Sequence, residues 1–378
     1  MDRRRVATGI GLLTVLGALV AAGLVLVPGS DAATTHLVTA PQAPRPLPAG
    51  PLPAAVTVAW SAPSLPPGGS AADAGTIVVV TGGKISGRDA KAGNEIWTYQ
   101  RDNATVCGWL VQDGVVVAAY RKPGHGCTDL IALNAGTGAR RWYRNTDLGP
   151  DATLVSANGV VVARAGDRLL AVDTGTGLNR WTTLRPGCGY GPVQLGALGA
   201  LVLLNCPDRT LLVDHDAYAD TEHWATDVPG TDPTALSVGD PTALLSTIDG
   251  KRTLTTFDGQ GKVLGRVIDP RLAPAGAVPL TAVATGGTVV LWTGTTVVGV
   301  NTRTQAVAWS APALGPPLLQ GQSVLVSGPA GFTERAVGTG TVTRTIQTGA
   351  RRPDQYALLS RIGTLVTTSS PATLTVYG

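Results

Sequence analysis

Ala171-Val172-Asp173-Thr174-Gly175-Thr176-Gly177-Leu178-Asn179-Arg180-Trp181 packs the end of one strand, a turn and the start of the next strand into a single short stretch. The run Arg168-Leu169-Leu170-Ala171-Val172 leads into it. Asp173 offers a side-chain acceptor for the turn, Gly177 supplies a positive φ, and Trp181 opens the returning strand. The same ruler applies elsewhere: Asp89, Asn134, Asp173 and Asn301 each stand eight residues before a tryptophan, at Trp97, Trp142, Trp181 and Trp309. With Trp60 and Trp224 the series advances in steps of 37, 45, 39, 43 and 85 residues, the last being a doubled interval. A fixed period of about 40 residues is the mark of a repeat architecture. In the fourth unit Asp214 stands ten before Trp224, which predicts a turn two residues longer. Eight past Asp258 is Arg266, and aligning Gly338-Thr339-Gly340 with Gly136-Thr137-Gly138 puts Arg344 in the last slot.

Every unit also carries a short β-branched run opened by turn residues, at 75–80, 114–118, 159–163, 200–204, 243–245, 287–291, 323–326 and 363–366. A strand precedes and two follow each run, giving four antiparallel strands per repeat, the β-propeller signature. The chain opens on a lone tryptophan strand, Val56–Trp60, and closes on a hairpin, Gly363–Tyr377, that lacks one. Pairing them closes the ring and removes two exposed edges. The expected fold is therefore all-β: an eight-bladed propeller over 56–378.

Composition agrees. Only 4% of residues are aromatic, while 49 Gly and 27 Pro favour turns over long helices, and the net charge of +4 leaves no footprint for nucleic acid. Four regions are expected: a basic tip at 1–5, a membrane span at 6–27, a spacer at 28–55 and the propeller. Val6 to Val27 carries no charge and is long enough at 1.5 Å per residue to cross about 30 Å of hydrocarbon. Arg3, Arg4 and Arg5 precede it, so the tip stays cytoplasmic and the body is expected outside, held by a single-pass signal anchor. Ser30-Asp31-Ala32 leaves open cleavage that would start the mature chain near Ala33. Residues 28–55, with seven prolines, read as an extended polyproline spacer.

The eleven residues from Ala171 to Trp181 match in full the docking motif A-x-D-x-x-T-G-x-x-x-W of pyrroloquinoline-quinone (PQQ)-like propeller repeats, and Ala132–Trp142 matches with Asn134 for Asp. The body resembles that family, whose members include quinoprotein dehydrogenases and non-catalytic scaffolds of the BamB type. The resemblance implies that Trp60, Trp97, Trp142, Trp181, Trp224 and Trp309 are wedges between blades. It implies for the dehydrogenases a cofactor beside a disulfide of adjacent cysteines, with carboxylates and calcium. No two cysteines are adjacent here. The expectation is a membrane-anchored scaffold or binding module for a protein or cell-envelope ligand, with no catalytic residue, cofactor or metal assigned. The alternative is a PQQ-dependent oxidoreductase.

Cys107 opens the first strand of the second unit and Cys127 precedes its third, while Cys188 opens the first strand of the fourth unit and Cys206 ends its second. Antiparallel geometry brings both pairs to one propeller face, so the expected bonds are Cys107–Cys127 and Cys188–Cys206, the local choice among three connectivities. Each leading cysteine is followed by Gly and an aromatic, Trp109 or Tyr190. Trp109, His125 and Tyr190 are thus the candidate binding face, with core packing as the plainer reading of the aromatics. The turn Asp214-His215-Asp216 with Asp220, Glu222 and His223 could hold a metal, though an ordinary polar turn explains the same residues.

Overall fold

The computed structural model describes residues 31, 33–146, 148–149, 152–165, 168–182, 185–196, 199–237, 241–274 and 281–378. The candidate membrane span at 6–27 lies outside the described residues, among which no helix is long and apolar enough to cross a membrane.

The strands form eight antiparallel sheets, each a blade of the ring. First strands of neighbouring blades touch one another, so these strands surround the axis and the fourth strands form the rim. In the second blade the order is Thr105–Gln112, Val115–Arg121, Cys127–Asn134 and Arg140–Asn145. Its second strand is buried nearly throughout because both faces of the blade are covered by neighbours, whereas its rim strand buries only Trp142. Strand β1 (Thr35–Val38) runs antiparallel to the rim strand of the first blade, Glu95–Arg101, as a fifth member of that sheet. Strand β2 (Val58–Pro63) pairs with Thr373–Tyr377 and supplies the rim strand of the eighth blade. The ring is therefore closed by the two ends of the propeller sequence. Strand β3 (Ala72–Asp73) is the short first strand of the first blade.

Five tryptophans dock in one way. Each indole N–H donates to a turn carbonyl of the next blade: Trp60 to Ala90 (3.1 Å), Trp97 to Ala135 (2.8 Å), Trp142 to Thr174 (2.8 Å), Trp181 to Ala217 (3.0 Å) and Trp309 to Val337 (2.7 Å). The rings of Trp60, Trp97, Trp142, Trp224 and Trp309 press on Gly93, Gly138, Gly177, Gly261 and Gly340, where a Cβ would come within 2.4–2.7 Å of the indole. Those glycines have φ of 68–76°, so the position excludes other residues twice over.

Register corrects two expectations. In the fourth blade Trp224 lies opposite Asp214, and the carboxylate that caps the turn is Asp216, which accepts from the Tyr218 and Ala219 amides. Asp216 stands at the standard spacing, so the turn is not lengthened. In the fifth blade the turn after Asp258 is one residue shorter. Gly265, paired with Thr256, therefore occupies the docking slot, and Arg266 is its neighbour. The next blade compensates: Gln305, at φ 53°, stands where five other turns have glycine and the fourth blade has Asp220, and its side chain fills the space over Gly265 and donates to the Leu264 carbonyl at 3.2 Å. Arg344 does hold the seventh slot, opposite Glu334, and its head donates to the Leu52 carbonyl.

That contact belongs to a larger correction. Residues 33–56 do not stand off as a spacer. After β1 the chain crosses the ends of the blades: the Ala40 amide donates to Thr137, Leu47 to Ala74, and Arg361 donates to the Gly50 carbonyl. Leu52 and Val56 are buried against Phe332, Ile346 and Tyr377. A proline-rich segment gives up little backbone entropy when held straight and keeps its carbonyls free to accept, so arginines can clamp it. We call the end crossed by this strap the strapped end. It carries the turns between first and second and between third and fourth strands.

Candidate functional site

The opposite end carries the remaining loops and both disulfides, Cys107–Cys127 and Cys188–Cys206, and is called the stapled end. Each bond joins the start of a first strand to the far end of the adjacent hairpin, closing loops of 20 and 18 residues. In the chain-entropy view each is worth about 3 kcal/mol. The aromatics beside them are core. Trp109 is 1% exposed and donates to the Leu65 carbonyl at 3.2 Å, and Tyr190 is 5% exposed within the third and fourth blades' apolar cluster. The expectation of two rigid surface aromatics is thus corrected: in a first strand the side chains face neighbouring blades on both sides. His125 alone of the three is exposed, on the turn that precedes Cys127.

Next to that turn lies a charged network that sequence reading did not anticipate. Arg101 Nη1 meets Asp129 Oδ2 at 2.6 Å, and both side chains are 1% exposed. Arg101 Nη2 lies 2.7 Å from Asp31 Oδ1, Lys122 Nζ reaches the same carboxylate at 2.9 Å, and Asn103 Nδ2 donates to it at 3.1 Å. The Tyr143 hydroxyl donates to Asp129 Oδ1 at 2.8 Å; burial and the Asp129 charge push it up to about 12, so it stays a donor at every physiological pH. Burial alone would raise Asp31, but its bonds from Lys122 and Asn103 and the charge of Arg101 outweigh that and hold it below the usual carboxylate value. The only sequence hint was that Asp31 is the first charge after the apolar run.

The histidine-bearing turn of the fourth blade resolves into separate pairs. His215 Nδ1 lies 2.8 Å from the Asp216 carbonyl, and its ring packs at a tilt of 56° against Trp181 with centroids 4.7 Å apart. His223 lies between Asp214 and Asp216, at 3.5 and 3.6 Å, and Glu222 pairs with Arg185 at 2.7 Å. Burial raises the Asp214 carboxyl, with His223 pulling the other way. Among the described residues no group of three or more His, Cys, Asp or Glu is placed to hold a metal ion.

The axis is partly occupied by the chain itself. After β2, residues 64–70 run from the eighth blade past the first to the second and third: the Ser64 amide donates to the Ala372 carbonyl, the Leu65 amide to Val80 and the Gly68 amide to Trp109, and a Cβ on Gly68 would meet the Leu154 carbonyl of the third blade at 2.2 Å. Beside this segment a cavity of about 670 Å³ remains, bounded by strap residues Ala49 and Gly50 and by Leu318, Gln320, Leu359 and Arg361. A second concavity of about 690 Å³ lies on the rim between the second and third blades, with Arg144 and Arg168 over Leu148, Leu169 and Leu170.

Residues 54–186 match the family model described as outer membrane protein assembly factor BamB. The BamB crystal structure from Moraxella catarrhalis superposes with a TM-score of 0.55 at 20% identity, covering 86% of this chain and 98% of that one. A computationally designed propeller, Ika8, gives 0.59 at 16% identity over 89% and 99%, and a europium-containing methanol dehydrogenase 0.52 at 12% over 85% and 93%. At these identities the likeness concerns the fold. The serine/threonine-protein kinase AfsK of Streptomyces griseus is 33% identical over 132 residues, which are 32% of this chain and 16% of that protein. The chain thus spans about a sixth of that relative's length. Residues 54–186 thus resemble the PQQ-like repeats of BamB, and the body as a whole shares the propeller fold of these structures.

Proposed function

We propose that this protein is a membrane-anchored, extracytoplasmic scaffold that binds a protein or another cell-envelope component without catalysing a reaction. The observation that carries this reading is the chain's own use of the features a quinoprotein would devote to its cofactor. The cysteines staple separate hairpins and form no platform of adjacent residues, and Gly68 with its flanking segment narrows the axis. The residues present therefore do not fit PQQ. What stays accessible are broad open surfaces on the rim and the two ends, which suit a macromolecular partner better than a small substrate. The similarity to BamB, named for outer membrane protein assembly, supports a protein as that partner.

Anchoring draws support from Asp31. Cleavage near Ala33 would remove a carboxylate that Arg101, Lys122 and Asn103 all use, leaving the nearly buried Arg101 head short of one counter-charge. Two measurements test the proposal. Protease added to intact spheroplasts should digest the body and spare a membrane-bound stub; a protected body would place it inside. Titrating the purified protein with PQQ and calcium should give neither saturable absorbance change nor dye reduction, and turnover with alcohols or sugars would replace the scaffold reading with the enzyme.

A further inference from the structure

The apolar run ends at Val27, and Asp31 is already fixed to the ring. The Cα steps from Val27 to Asp31 can span at most about 14 Å at full extension. A headgroup layer takes up roughly half of that. The propeller therefore has no room to float on a stalk, and the part nearest Asp31 must lie at the lipid surface.

That part is specific. Asp31 sits at the stapled end, where Thr35 of β1 pairs with Arg101, the last residue of its strand. Lys122, bonded to Asp31, opens the exposed turn Pro123-Gly124-His125, which is held by the His125 amide donating to the Lys122 carbonyl at 3.0 Å and by the Cys107–Cys127 bond just beyond. The polar side chains at this surface are exposed His125 and part-exposed Lys122, with His36 and Asp102 paired at 2.8 Å beside them. Resting on the anchored reading above, we propose that the stapled end of the first and second blades lies on the phosphate-bearing headgroup layer, with the Lys122–His125 turn as its contact. The strapped end then points away from the membrane and is the end presented to a partner. This orientation also gives the first disulfide a purpose, since it stiffens the turn that meets the lipid.

The full chain in phosphatidylglycerol–phosphatidylcholine vesicles tests this, using a fluorophore on Pro123→Cys or on Lys91→Cys, an exposed turn residue at the other end of the first blade. The rim strand between them has seven residues, which separates the two sites by roughly 20 Å. Spin-labelled headgroups should quench the label at 123 several-fold more than the label at 91. Adding Asp31→Ala should bring the two values together, because it frees the clamp without touching the anchor. A chain that floats with the vesicles but shows equal quenching overturns the orientation alone. A chain that does not float overturns the anchor and the orientation with it.

Discussion

Gly265 and Gln305 exchange the roles that tryptophan and glycine play at five other junctions, and the exchange shows what the docking motif is for. At five junctions the large ring lies on a residue without a Cβ; where the ring is missing, a side chain from the opposite turn fills the gap. The pair must therefore change together. Gly265→Trp alone should destabilise by about 1–3 kcal/mol through overpacking against Gln305. Gly265→Trp with Gln305→Gly should instead gain roughly 1–3 kcal/mol from the buried indole, raising Tm by a few degrees. Calorimetry of the two single variants and the double one measures the coupling, and additive effects would mean that the sites do not touch. At the Arg101–Asp129 pair, Asp129→Ala should cost about 3–5 kcal/mol by stranding a buried guanidinium. A spacing rule that counts from Asp258 lands on Arg266 because sequence spacing carries no sign of a turn shortened by one residue. The docking tryptophans were legible since a ring and its glycine recur in phase, whereas Trp109 and Tyr190 differ from surface aromatics only in tertiary surroundings.

Strands β1 and β2 close the first and last blades in different ways. Strand β2 was legible from its tryptophan and from a final hairpin that needed one more strand. Strand β1, Thr-His-Leu-Val, is too short and too polar to announce itself, and it exists because the rim edge of Glu95–Arg101 offers it hydrogen bonds and Asp31 pins its start. Since Asp31 is held below its ordinary value when folded, its contribution is complete at neutral pH and is lost as pH falls through and below about 4. Pepsin should consequently nick the chain near Leu37 and Val38 in that range while the ring persists, and Asp31→Asn should be nicked at higher pH. Equal nicking of both proteins across the range would show that the carboxylate does not hold the strand.

For the whole ring, closure by the two ends predicts that removing 56–60 exposes the edge of Thr373–Tyr377 and leaves the eighth blade open. Such a truncation should aggregate or melt well below the intact protein, as followed by light scattering during a thermal ramp. A monomer of unchanged Tm would mean that closure adds nothing. The blade count and the closure were legible because both rest on periodicity. The strap was not, because prolines suggest extension but say nothing about what the extended chain lies against. Its course has a mechanical consequence. A pull on the N-terminal end meets the Asp31–Arg101 contact first, then the pairing of Thr35–Val38 with Thr98–Arg101, then the arginine clamps at Gly50 and Leu52, and only afterwards the strand that closes the ring. Tension is thus shed in stages, and in a force-extension trace the strap should come away as a short early step before the ring itself yields.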